Sequence, residues 1–204
     1  MKISRIQNSV LNSNTFILYD ESELDCWLVD IGDITPVLDV IGERSVRGVF
    51  LTHTHYDHIY GINRLVELFP ECNVYTSQYG KEGLFSDKLN FSRYHGCPYL
   101  FQGENIKILE EGDEVTLFQG VVLKAIYTPG HDWSCMCYFT DNDIFTGDSY
   151  IPNLKVVTSF PKSNKNEPKY LPHILKTIAH YKNDYDVEKL AKEVTKTTKD
   201  FFKI

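Results

Sequence analysis

The hexapeptide His53-Thr54-His55-Tyr56-Asp57-His58 follows directly on the apolar run Val49-Phe50-Leu51. Three imidazoles and a carboxylate leave the end of one strand-like segment together, and any fold must bring them to one place. Neutral imidazole and carboxylate are the ligands that zinc and related first-row metals take in open, catalytic sites. His53 and His55 are two apart, so an extended chain projects both the same way, toward one ion. Asp57 and His58 come where the chain turns into a helix and are expected to face a second ion. The spacing differs from a helical His-Glu-x-x-His site, whose ligands sit one turn apart.

Two later segments offer further ligands. Thr128-Pro129-Gly130-His131 and Thr146-Gly147-Asp148 each follow a strand and place a His or Asp after a Gly. The Gly permits a close turn that leaves the ligand at the rim of the sheet. Alone, such a residue reads as a turn residue; beside a cluster that needs more ligands it becomes a candidate. Cys135 and Cys137 share one face of a strand but have no second Cys pair, so they read as small core residues. The five cysteines are odd in number and scattered, which argues against a disulfide framework and for a reducing compartment.

Strands are expected over 15–19, 26–31, 46–51 and 73–76, with a hairpin turn at Asp20-Glu21-Ser22-Glu23. A short helix candidate, broken by Pro36, spans 33–43. Ile59, Ile62, Leu65, Val66 and Phe69 have helical spacing. Further strands are expected over 106–109, 114–118, 121–127, 135–139 and 144–146, then helices over 168–181 and 186–202. Residues 1–204 are expected to form a single domain, a β-sandwich covered by helices.

The ordered motifs His53-Thr54-His55-Tyr56-Asp57-His58, Gly130-His131 and Gly147-Asp148, with the strand end Asp30-Ile31-Gly32, resemble those of the metallo-β-lactamase fold superfamily. The resemblance covers about residues 14–155. It implies an α+β fold, a four-layer αββα sandwich with metals at one edge between the sheets. It implies that His53, His55 and His131 hold a first metal and that Asp57 and His58 hold a second, with Asp148 bridging. Asp57 and Asp148 are then also the catalytic carboxylates. Zinc is the default ion for such ligands, with iron or manganese as alternatives. The family's last His, in a late Gly-His turn after a final short strand, is not found. His173 and His180 lack such a turn, so that strand and turn are expected to be missing.

The resemblance implies a hydrolase that uses a metal-activated water on an ester, thioester, lactone or phosphodiester of a small molecule. The alternative is a non-hydrolytic member with an incomplete second site, a binding protein or a mononuclear iron oxygenase of sulfur compounds. The stretch after Asp148 is short for the C-terminal helical domain of the hydroxyacylglutathione hydrolases, which disfavours that substrate. A net charge of −7 disfavours nucleic acid. The lysines at 155, 162, 165 and 169 read as a solvated loop, although such a group attracts small anions. No apolar run has the length of a membrane span, and residues 1–5 lack the apolar stretch of a secretory leader. A cytoplasmic protein is expected. The irregular segment 85–102, rich in aromatics, is a candidate for specificity. Trp133 and Tyr150 adjoin the candidate ligands, and Tyr150 is a candidate hydrogen-bond donor to a tetrahedral oxyanion.

Overall fold

In a computed structural model, residues 1–96, 98–151 and 156–164 are described. The expected helices over 168–181 and 186–202, His173, His180 and the region of the expected missing strand lie outside these residues.

Among the described residues, ten strands form two sheets. The first has six strands in the order β1 (Lys2–Gln7), β2 (Asn14–Tyr19), β3 (Asp25–Val29), β4 (Ser45–Phe50), β5 (Asn73–Thr76) and β6 (Ile106–Ile108). β1 to β3 are antiparallel, whereas β3 to β6 are parallel. The parallel strands need crossovers, supplied by α1 (Ile34–Ile41), by α2 (Tyr56–Ile59) with α3 (Ile62–Leu68), and by α4 (Gln78–Leu84). The second sheet is antiparallel, in the order β10 (Ile144–Phe145), β9 (Met136–Phe139), β8 (Val121–Tyr127) and β7 (Glu114–Phe118).

Alternation along the first sheet's strands feeds two cores. Ile17, Cys26, Leu28 and Val49 pack with Val37, Ile41, Ile62 and Leu65 of the helices. Leu18, Trp27, Val29 and Phe50 face Leu123, Ala125, Met136 and Tyr138 of the second sheet. Burial on both faces explains why these strands read as near-continuous apolar runs. Each fully buried Leu, Ile or Phe contributes roughly 1.5–3 kcal/mol.

The sheets are also tied by polar contacts at the end of β4. The Tyr138 hydroxyl donates to Leu51 O at 2.7 Å, and Met136 N donates to Thr52 O at 2.7 Å. The histidine segment therefore begins where the two sheets are clamped together.

Several expectations are corrected. α1 is not broken by Pro36, its third residue, because donors of the first helical turn have no intrahelical acceptor to lose. The helix expected from Ile59 to Phe69 is two pieces. Gly61 N donates to Ile31 O at 3.2 Å, and a Cβ on Gly61 would lie 2.1 Å from Gly32 O. This close approach interrupts the helix. β1 and α4 were not expected: Ile3 and Ile6 of β1 do not follow a period of two, and glycines at 80 and 83 mask α4.

Candidate metal centre

β4 is a central strand, and its end delivers His53 and His55 in extended conformation. His55 is the residue before α2, with φ −65° and ψ 148°, and the first turn of α2 then carries Asp57 and His58. His131 follows the end of β8. Asp148 lies in a 3-10 turn, Gly147–Ser149, separated from β10 by Thr146 alone. That turn needs its glycine. Gly147 has φ +48°, and a Cβ there would lie 2.3 Å from the Thr52 hydroxyl. Gly130 instead makes a tight turn, its N–H donating to Thr128 O at 2.8 Å, without a positive φ.

The six candidate ligands come together. Ligand atoms of His53, His55 and His131 lie within 4.8 Å of one another, as do those of His53, His58 and Asp148. Asp57 Oδ2 is 3.3 Å from His58 Nε2. One Asp148 oxygen is 3.5 Å from His58 Nε2 and the other 3.5 Å from His131 Nε2.

Hydrogen bonds to Nδ1 of His53, His58 and His131 turn the other ring nitrogen of each toward the cluster. His131 Nδ1 donates to Val157 O at 2.8 Å, which leaves Nε2 with a lone pair. Thr52 donates its hydroxyl to Asp30 at 2.7 Å and so accepts from His53 Nδ1 at 3.2 Å. His53 Nε2 is then buried with no hydrogen-bond partner, a group that calls for a ligand. His55 Nδ1 sits 3.1 Å from His131 Nε2. Two nitrogens about 2.0–2.1 Å from one tetrahedral ion would be about 3.3 Å apart. His55 Nε2 faces Asp132 Oδ2 at 3.6 Å. The residues present fit a metal ion.

Electrostatics divide the cluster. Burial, then the neighbouring imidazoles His58, His55 and His131, pushes His53 well below the usual histidine range. Burial, then His55, lowers His131. Both are therefore neutral, as metal ligands must be. Around His58 the balance reverses. Burial opposes its charge, but Asp30, Asp148 and Asp57 outweigh it and hold His58 well above the usual range. Burial also opposes charge on Asp148, yet His58, His131 and His55 bring its carboxyl down to about 2. Three carboxylates around one ring make a place that favours a cation.

Sequence reasoning noted Asp30 as part of a strand end but gave it no role. It is buried, with φ +56°, and that left-handed backbone turns its carboxylate back to Thr52 N at 2.7 Å and His58 Nδ1 at 2.8 Å. Val157 was equally missed, since a backbone carbonyl carries no residue-type signal. Of the aromatics in segment 85–102, Phe91 reaches the cluster, its ring 4.7 Å from that of His55. Trp133 packs on Tyr79 at 5.4 Å beneath the Lys162 ammonium. Cys135 and Cys137 are buried thiols; burial raises Cys135 well above the usual thiol range and Cys137 to about 12.

Comparison with known proteins follows the same lines. The family model of the metallo-beta-lactamase superfamily matches residues 20–196. A hydroxyacylglutathione hydrolase of Salmonella gallinarum is 33% identical over 127 residues, which are 61% of this chain and 42% of that protein. The chain thus spans less than half the length of that curated relative. The crystal structure of BLEG-1 B3 metallo-beta-lactamase superposes with a TM-score of 0.75 at 21% identity, covering 84% of this chain and 86% of that one. TTHA1623 in a di-iron-bound form superposes with a TM-score of 0.69 at 19% identity, covering 85% and 86%. These two likenesses show the fold, the two-sheet sandwich with flanking helices. No helix among the described residues is long and apolar enough to cross a membrane.

Proposed function

The chain belongs to the metallo-β-lactamase superfamily, and on that premise we propose that it is a metal-dependent hydrolase of a small-molecule ester, thioester, lactone or phosphodiester. The observation that carries this reading is the buried, partnerless His53 Nε2, converging with His55 and His131 beside a carboxylate shared with His58.

His53, His55 and His131 would hold the first ion, Asp57 and His58 a second, and Asp148 would lie between. Zinc suits this set; iron or manganese is the alternative. When bound, such an ion supplies a nucleophile from water at neutral pH and polarises a carbonyl or phosphoryl oxygen. The protein's own residues do the rest. Thr52, Asp30 and Val157 fix the rings so that lone pairs point inward. Asp57 is ionised, because burial is outweighed by its hydrogen bond to His58, and it would orient the attacking water or take its proton. The curated relative's name, a hydroxyacylglutathione hydrolase, supports the thioester as the first substrate class to try.

The test is hydrolysis of an acylglutathione, a lactone, a 4-nitrophenyl ester and bis(4-nitrophenyl) phosphate by zinc-loaded and chelator-stripped protein. Turnover of at least one, lost on stripping and restored by zinc, is expected. No turnover at full loading favours a binding protein, and oxygen uptake by an iron-loaded form favours a sulfur oxygenase.

A further inference from the structure

One side of the first triad is aromatic. The rings of Phe91 and Phe160 lie 5.0 Å apart. Phe91 is 4.7 Å from the His55 ring, and Phe160 is 5.2 Å from His55 and 5.3 Å from His131. Both phenylalanines are only half-buried. The acidic residues of the cluster, Asp57 and Asp148, lie on His58.

Each ring is held there by backbone devices. Phe91 has φ +61°, a conformation that is an outlier for a bulky side chain and persists only where the surroundings impose it. The clamp is the buried Asn90. Its carbonyl accepts from Tyr56 N, at the start of α2, at 2.8 Å, and its side-chain amide donates to Tyr99 O at 2.8 Å. Phe160 is set by a strap tied to His131. Val157 O accepts from His131 Nδ1, Ser163 Oγ donates to His131 O, and Asn164 N donates to Gly130 O at 3.0 Å. The cation of the strap, Lys162, lays its ammonium over Trp133 at 4.3 Å.

We propose that Phe91 and Phe160 form an apolar seat beside the His53–His55–His131 triad, which binds the uncharged hydrocarbon group attached to the scissile bond. The proposal rests on the metallo-hydrolase reading and narrows its substrate. A flat or branched acyl or aryl group buries apolar surface against the two rings. A charged or strongly hydrated substituent placed there would lose hydration without a compensating donor from either ring. The seat selects substrates with an apolar group on the scissile bond over those with a charged or polar one.

The test compares the affinity of cobalt-substituted protein for benzyl mercaptan and for 2-mercaptoethanol, read from the thiolate-to-cobalt absorption band. Wild type is expected to prefer benzyl mercaptan by roughly tenfold. Phe91→Gly, which also relieves the positive φ, and Phe160→Ala should lose most of that preference while keeping cobalt uptake and 2-mercaptoethanol affinity. If Phe160→Ala takes up no cobalt, Phe160→Leu serves in its place and should lose part of the preference. A preference retained in both variants, equal weakening of both thiols, or no thiol binding by cobalt-loaded wild type overturns the seat alone. No cobalt uptake by wild type overturns the metallo-hydrolase reading, and the seat with it.

Discussion

The carboxylate of Asp30 lies 2.8 Å from His58 Nδ1, behind the ring and on the side away from the ligand cluster. It also takes the Thr52 N–H and hydroxyl, each at 2.7 Å. One buried acid thus fixes the end of β4 and the orientation of a candidate ligand. Asp30→Asn keeps the shape and tolerates the left-handed backbone but weakens the grip on His58. It is expected to lower zinc affinity about 10–100-fold, read by chelator competition, with folding retained. Asp30→Ala strands the Thr52 donors and His58, and should cost about 3–5 kcal/mol in urea unfolding. Unchanged zinc affinity in Asp30→Asn would remove the orienting role.

Gly147 is the second pressure point. A Cβ there would meet the Thr52 hydroxyl at 2.3 Å, on a backbone with φ +48°. Gly147→Ala is expected to cost about 1–3 kcal/mol and to displace Asp148 from His58 and His131. Zinc stoichiometry and urea unfolding on the same sample check both effects. A variant with wild-type stability would show that the turn opens without strain.

The thiols give a pH expectation independent of the metal. Burial pushes Cys26, Cys72 and Cys137 up to about 12, against roughly 8.5 for a free thiol. Their folded values lie above the unfolded ones, so the native state binds more protons between those limits. The stability they contribute is complete below about pH 8.5 and is lost as pH rises toward 12. In a Cys97→Ser background, a thiol reagent at pH 8 should label no residue until the protein is unfolded. Labelling of the native protein within minutes would contradict this burial.

Much of this was legible in the sequence, for reasons that particular residues make plain. The strand over 73–76 was expected with the bounds that β5 has, because the β-favouring run Val74-Tyr75-Thr76 follows the helix stop at Pro70. The six candidate ligands stood out through residue type and order. What stayed hidden depends on non-local or backbone geometry. The strand over 106–108 joins the first sheet through parallel pairing of Ile106 with Val74, a contact that no local pattern announces. Phe91 reads as one aromatic among several until its positive φ turns the ring onto His55. Asp30 reads as a strand-end residue until the same kind of backbone returns its carboxylate to His58.

Removing a candidate ligand of the first triad tests where the chemistry sits. His131→Ala deletes a nitrogen 3.1 Å from His55 Nδ1 and the Val157 tether of the strap. It is expected to lose hydrolysis by at least about a hundredfold while far-ultraviolet circular dichroism stays unchanged. Retention of activity within tenfold would place the chemistry elsewhere.

Elemental analysis of protein purified without added metal or chelator addresses the metal centre most directly. The expected result is a transition metal, zinc first, at about one to two ions per chain, falling when His53 and His131 are both replaced by Ala. Wild-type protein that carries only trace metal, and takes up none on incubation with zinc, iron or manganese, would contradict the metal centre itself.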